Sequence, residues 1–274
     1  DLKLLREQVE FQIAAGTQCL CPVGTTGESP TLSEEEVLSL LGAVKEEVGD
    51  RATVICGTGS NDTRHATRLT KGAARVGADA VLVVTPYYNK PNRRGIVRHF
   101  SEVARAAGGT PVVLYNIPGR TAVNMPPDLL AELAQIDGIE AVKQANSDEL
   151  QLIDGLAVLA GNDDIYGACL DMGGAGGICV ASHVVGPEMR RIYEEPDVRA
   201  QIDASLRDVY ETLFITASPT PVKAALNLLG HDAGTLRLPM VEADEAETAA
   251  VRAMLERHGL APVGTSAAST VTAS

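Results

Sequence analysis

Short apolar runs alternate with longer amphipathic stretches through the first two thirds of the chain, and this alternation limits the fold more than any other feature. The runs at 18–23, 52–57, 79–85, 111–116, 139–144, 156–160 and 177–181 read as strands. Several are near-continuous Val/Ile/Leu/Cys, the pattern of strands covered on both faces. Between them, Ser33-Glu34-Glu35-Glu36 forms a capping box, with Ser33 as cap and Glu36 reaching back to it. Val37, Leu40, Leu41, Val44 and Val48 follow at helical spacing. Leu2, Leu5, Val9 and Ile13 mark an opening helix, and 127–135 and 148–154 read as shorter ones.

Strand–helix alternation implies a parallel sheet, and right-handed crossovers leave an open doubly wound sheet or a closed barrel. The expectation is an α/β fold, a (β/α)8 TIM barrel. Seven strands are visible and the chain opens directly on a helix at Asp1. The first barrel strand is therefore expected to be missing from this sequence. After Ala181 the stretches 188–215, 221–229 and 243–258 read as helices with no strand between them. Residues 1–195 are thus assigned to the barrel and 196–260 to its last helix and a small C-terminal helical extension. Residues 261–274, rich in Ser, Thr and Ala, are assigned to a disordered tail.

The chain has 274 residues, 45% of them hydrophobic, enough for one large core. With 23 basic and 36 acidic side chains its formal charge is -13. That balance argues against nucleic acid or an anionic membrane as partner, since both are held by basic patches. No run of apolar residues is long enough for a transmembrane helix, and no secretory signal opens the chain. Cys19, Cys21, Cys56, Cys169 and Cys179 mostly lie in apolar runs. They show no CxxC or Cys/His ligand spacing, so they read as small buried hydrophobes in a reducing, cytoplasmic compartment, with no metal site.

In a barrel, chemistry sits at the carboxyl ends of the strands and in the loops that follow. Of six lysines, only Lys143 lies inside an apolar strand run. Burial disfavours an ammonium, and the free amine is the form that attacks a ketone. The bland alternative is a structural ion pair with Glu28 or Asp163. Tyr115, at the end of the preceding strand, can donate or accept a proton; the alternative is a buried tyrosine bonded to a backbone carbonyl. Thr25 and Thr26, between Gly24 and Gly27, can hold a carboxylate or merely cap the next helix. Arg120, after Pro118-Gly119, suits bidentate carboxylate binding, or is an ordinary surface arginine. Gly173, Gly174, Gly176 and Gly177 match no phosphate-loop pattern and suggest close backbone approach to a small ligand.

Taken in order, Gly24–Glu28, Thr85–Pro91, Tyr115–Thr121, Lys143 and Gly161–Asp164 resemble the dihydrodipicolinate synthase (4-hydroxy-tetrahydrodipicolinate synthase) family of the N-acetylneuraminate lyase superfamily. The resemblance implies that Lys143 forms an imine with pyruvate and that Tyr115, Thr25 and Tyr88 relay protons. Tyr88 would reach across from a neighbouring subunit. Thr26 and Ile178 would bind pyruvate, and Arg120 the carboxylate of L-aspartate 4-semialdehyde. The implied product is 4-hydroxy-tetrahydrodipicolinate, in lysine and diaminopimelate biosynthesis. The resemblance implies neither metal nor organic cofactor, and a homotetramer built as a dimer of dimers.

Two departures are visible. Gln144 stands where many relatives carry an acid, so the charge beside the imine is expected to differ. Where lysine-inhibited relatives use a histidine and a glutamate to help bind the inhibitor, the matching positions here are Glu34 or Val37, and His65; Asn61 and Tyr87 match, so weak or absent feedback is expected. The rival readings are a sugar-type pyruvate aldolase, such as N-acetylneuraminate lyase or a 2-keto-3-deoxy sugar-acid aldolase, which typically lacks the arginine, and a non-catalytic oxo-acid-binding paralogue.

Overall fold

The structure, a computed structural model, describes residues 1–260. The residues assigned to the tail lie outside them. Seven parallel strands pair in chain order: β1 (Cys19–Leu20), β2 (Thr53–Gly57), β3 (Ala80–Val84), β4 (Val112–Asn116), β5 (Ile139–Gln144), β6 (Ala157–Ala160) and β7 (Gly176–Gly177). Helices α1 (Leu2–Ala14), α2 (Glu34–Val48), α3 (Thr63–Val76), α4 (Arg93–Ala107), α5 (Pro118–Thr121), α6 (Pro127–Leu133) and α7 (Tyr166–Asp171) precede, link or follow them. The expected capping box is present on α2: Glu36 N–H donates to Ser33 Oγ at 3.2 Å and Ser33 N–H to Glu36 Oε2 at 2.9 Å.

Strand alternation sorts the apolar residues into two layers. Val54, Val81, Val83, Leu114 and Val142 face the helices in the larger core. Ile55, Ala80, Leu82, Val113, Tyr115 and Ala141 face the other way and form a smaller cluster with Cys19, Cys21, Leu159 and Ile178. Cys21, beyond β1, feels the charge of Lys143 on β5. Four strand spacings in a flat sheet would separate them by about 19 Å, so the sheet curls around this inner cluster.

Four expectations need correction. The strand at 18–23 pairs only over Cys19–Leu20, because Pro22 has no N–H to donate and the chain then turns. The strand at 177–181 is β7, one residue earlier and shorter. Ile178 N–H still bonds Ala160 O at 2.9 Å, but Ala181 N–H is taken by the Asp163 carboxylate and a 3-10 turn begins. The segment 148–154 is not a helix. It is a 3-10 turn at Ser147–Glu149, then a tight turn closed by the Ile153–Leu156 bridge, with Gly155 at φ 82°. The stretch 188–215 is three helices, α8 (Gly186–Glu194), α9 (Arg199–Ser205) and α10 (Arg207–Thr212). Pro196 ends the first, driving Glu195 to φ -115°, ψ 75°. Helices α11 (Thr220–Leu228) and α12 (Glu245–Arg257) complete the fold.

Candidate active site

Because the strands are parallel, every loop after a strand opens on one rim of the sheet. Lys143 sits near the end of β5, opposite Tyr115 of β4, on the face that carries the inner cluster. It is 9% exposed, and its Nζ lies 4.2 Å from the centre of the Tyr115 ring. Among the described residues it makes no ion pair and no hydrogen bond. Both acids that offered a structural explanation are otherwise engaged. Glu28 accepts from Lys223 Nζ at 2.6 Å and from Arg237 N–H at 2.8 Å. Asp163 Oδ1 accepts Ala181 N–H at 2.8 Å. Lys143 is therefore a nearly buried amine whose own surroundings leave its nitrogen free for a ligand.

Tyr115 is 6% exposed. Its carbonyl is held twice by Thr85, through N–H at 3.0 Å and Oγ1 at 2.9 Å, but its phenol bonds nothing among the described residues. The Thr25–Thr26 loop is fixed by backbone. Glu28 N–H donates to Thr25 O at 3.0 Å, and Glu28 itself sits at φ 56°. A Cβ on Gly27 would lie 2.2 Å from Pro22 O, so only glycine fits. Ser33, not a threonine, caps α2, and neither Thr25 nor Thr26 spends its hydroxyl on a described residue. Ile178 packs against the inner cluster.

Lys143, Tyr115 and Ile178 thus meet on one inner face, with Thr25 and Thr26 on the rim. Tyr88 and Arg120 do not join them. Tyr88 is 87% exposed, at φ 70°, at the centre of a γ-turn closed by Asn89 N–H to Tyr87 O at 2.8 Å. Arg120 is exposed on α5 and touches Ser218 O at 3.5 Å.

Two readings of the sequence change here. Gln144 lies on the opposite face of β5 from Lys143 and is 1% exposed. Its Oε1 accepts from Asn116 Nδ2 and Asn146 N–H, both at 3.0 Å, so it braces the strand ends and does not set the charge beside Lys143. Two of the four glycines, Gly174 and Gly177, are required by packing within the protein itself. A Cβ on Gly174 would lie 2.4 Å from Cys169 Sγ, and one on Gly177 2.7 Å from the Tyr166 ring. Sequence reasoning missed the Asn116–Gln144 brace, since polar residues at strand ends carry no pattern of their own. Burial pushes the Cys21 thiol up, and Cys19 and Cys56 up to about 12, so these cysteines stay neutral. Among the described residues there is no cluster of His, Cys, Asp and Glu able to hold a metal, and no helix long and apolar enough to cross a membrane.

A curled parallel α/β sheet with one lysine amine on its inner face, flanked by a free phenol, places the chain among the lysine-dependent barrel lyases. The dihydrodipicolinate synthetase family model matches residues 1–258, and the chain belongs to that family. A 4-hydroxy-tetrahydrodipicolinate synthase of Heliobacterium modesticaldum is 43% identical over 266 residues, covering 93% of this chain and 88% of that one. A crystal structure of a dihydrodipicolinate synthase superposes with a TM-score of 0.91 at 40% identity, covering 95% and 94% of the two chains. The chloride-inhibited dihydrodipicolinate synthase of Acinetobacter baumannii, solved with pyruvate, gives a TM-score of 0.91 at 34% identity over 95% and 93%. The fold is therefore a TIM barrel of this family.

Proposed function

We propose that the chain condenses pyruvate with L-aspartate 4-semialdehyde to give 4-hydroxy-tetrahydrodipicolinate, with Lys143 as the Schiff-base residue. The observation that carries the reading is an almost buried amine with no protein partner, 4.2 Å from a phenol ring. Family membership and relatives about 40% identical support the same reaction.

The Lys143 amine adds to the pyruvate ketone, and loss of water leaves a protonated imine. The imine withdraws electrons from the pyruvate methyl group, which gives up a proton to form an enamine. The enamine carbon attacks the aldehyde carbon, and the new alkoxide takes a proton. Tyr115, whose phenol is unspent, moves these protons, with Thr25 and Tyr88 as relay hydroxyls. Thr26 and Ile178 hold pyruvate. Attack of the substrate's own amine on the imine closes the ring and releases Lys143. The lysine is itself the electron sink, so the chemistry asks for no metal or organic cofactor.

Tyr88 belongs to this relay only if it is presented to another subunit. An almost fully exposed tyrosine on a strained γ-turn suits that use. The functional unit is then at least a dimer, and the family resemblance favours a tetramer of two dimers. Five free thiols fit a reducing cytoplasmic compartment.

The test couples product formation from the two substrates to a reductase. Turnover with the semialdehyde, and none with N-acetylneuraminate or sugar-acid aldehydes, is the expected result. No turnover with the semialdehyde would remove the reading. Arg120 is the residue that favours this aldehyde over sugar-like ones. Arg120→Ala should raise KM for the semialdehyde about tenfold or more, the scale of a lost charge-assisted hydrogen bond, while pyruvate capture stays unchanged. An equal rise in KM for pyruvate would count against that role.

Lysine inhibition is expected to be weak. Glu34 is already held by Arg68 Nε at 2.8 Å and lies 3.7 Å from His65 Nδ1. Titrating free lysine into the coupled assay checks this, and strong inhibition at low lysine concentration would refute it.

A further inference from the structure

We infer that Asp163 is a positioning residue for Lys143. One of its carboxylate oxygens fixes the backbone that follows Ile178, and the other, bare inside the protein, supplies negative charge to a protonated imine on Lys143. This rests on the reading of Lys143 given above.

Asp163 follows β6 and opens the 3-10 turn Asp163–Ile165. It is 2% exposed. Its Oδ1 holds Ala181 N–H at 2.8 Å, while Ile178 N–H is tied to Ala160 O at 2.9 Å. The segment after β7 is therefore held at Ile178 and again at Ala181 by residues at the end of β6 and just beyond it. The other oxygen, Oδ2, is buried with no hydrogen-bond partner among the described residues. A carboxylate oxygen left without a donor is costly, and proteins seldom tolerate one without use. Its counterpart is the Lys143 amine on the adjacent strand β5, which pairs Lys143 with Leu159 and Gln144 with Ala160.

The groups that face Asp163 are Lys143 from β5, Asp164 in its own turn, Cys179 beyond β7 and Tyr210 on α10. Lys143 is the one cation in that set. Glu28, the other acid considered, is paired with Lys223 and also accepts from the Arg237 backbone N–H. Burial pushes the Asp163 carboxyl up to about 6, against the pull of the Ala181 and Val180 N–H groups and of Lys143.

The chemistry gives this placement a use. When the Lys143 amine loses water with a ketone, the imine nitrogen carries a positive charge inside the barrel. A pre-placed anion lowers the energy of that species in a low-dielectric surround. Above about pH 6 Asp163 is charged and gives this support. Below it the carboxyl is neutral and the support is lost.

The sign of the stability effect separates this role from a structural one. In the unfolded chain the carboxyl ionises near about 3.9. A folded value raised above that means the buried anion costs stability, a cost that grows as pH rises from the unfolded to the folded value and persists above it. A neutral amide removes the cost. Asp163→Asn should therefore keep or raise the melting midpoint while impairing imine formation.

The experiment traps the imine with pyruvate and cyanoborohydride across pH 5–8, read as added mass on intact wild-type and Asp163→Asn chains, alongside thermal melting. Expected are wild-type trapping that rises through about pH 6, and a variant that traps about tenfold more slowly at neutral pH, without that inflection and with no loss of melting midpoint. Equal trapping with the same inflection in both proteins overturns the inference. So does a variant that loses trapping and melting midpoint together, for the carboxylate is then only a brace. If wild type traps nothing at any pH, the assignment of Lys143 itself falls.

Discussion

Lys143→Ala should form no covalent adduct when pyruvate and borohydride are added together, whereas the unaltered chain should gain one stable increment of mass at that residue. Turnover in the coupled assay should fall at least about 10⁴-fold, because the variant loses the covalent route and not merely one contact along it. The structure makes this a clean experiment. The amine bonds no described residue, so its removal orphans no partner, and its nitrogen lies over the ring of Tyr115. Circular dichroism and the melting midpoint should show a folded chain. A variant that is folded, inert to borohydride and still active would mean that the carbon–carbon bond is made without an imine.

The second large effect belongs to Tyr115. Tyr115→Phe keeps the ring beneath the Lys143 nitrogen and keeps the Thr85 clamp, which acts on the backbone carbonyl and not on the phenol. Only the hydroxyl goes. A proton-transfer group at this position is worth about 10²–10⁴-fold, so kcat should fall by that factor with melting little changed. Steady-state kinetics on the folded variant measure it. A drop of less than threefold would show that water, not the phenol, carries the proton.

Much of the fold was legible because buried strands announce themselves. The run 139–144 is β5 to the residue, since Ile139, Ala141 and Val142 form a short apolar run of strand length. The capping box at Ser33 and the helix behind it are likewise local facts. What was hidden depends on partners distant in sequence. The strand at 18–23 shrinks to Cys19–Leu20 at Pro22, and the loop after it packs so closely on β2 that a Cβ on Gly57 would lie 2.0 Å from Val23 O. The long helix at 188–215 breaks at Pro196, a signal that was present but outweighed by the amphipathic pattern on either side. At the site, Lys143 and Tyr115 could be found from strand position alone. The bare oxygen of Asp163 and the outward turn of Gln144 could not. Both depend on which face a strand end presents once the sheet has curled.

The double hold on Glu28 has a consequence for how the molecule matures. Its two donors come from Lys223 and Arg237, 195 and 209 residues further along. During synthesis the loop bearing Thr25 and Thr26 leaves the ribosome early, yet nothing can restrain its acid until almost the whole polypeptide has followed. The barrel wall can assemble strand by strand, but its rim acquires its working shape last. Any shortened version ending before residue 223 would carry every group assigned to the chemistry and still lack the fastening that holds one of its loops.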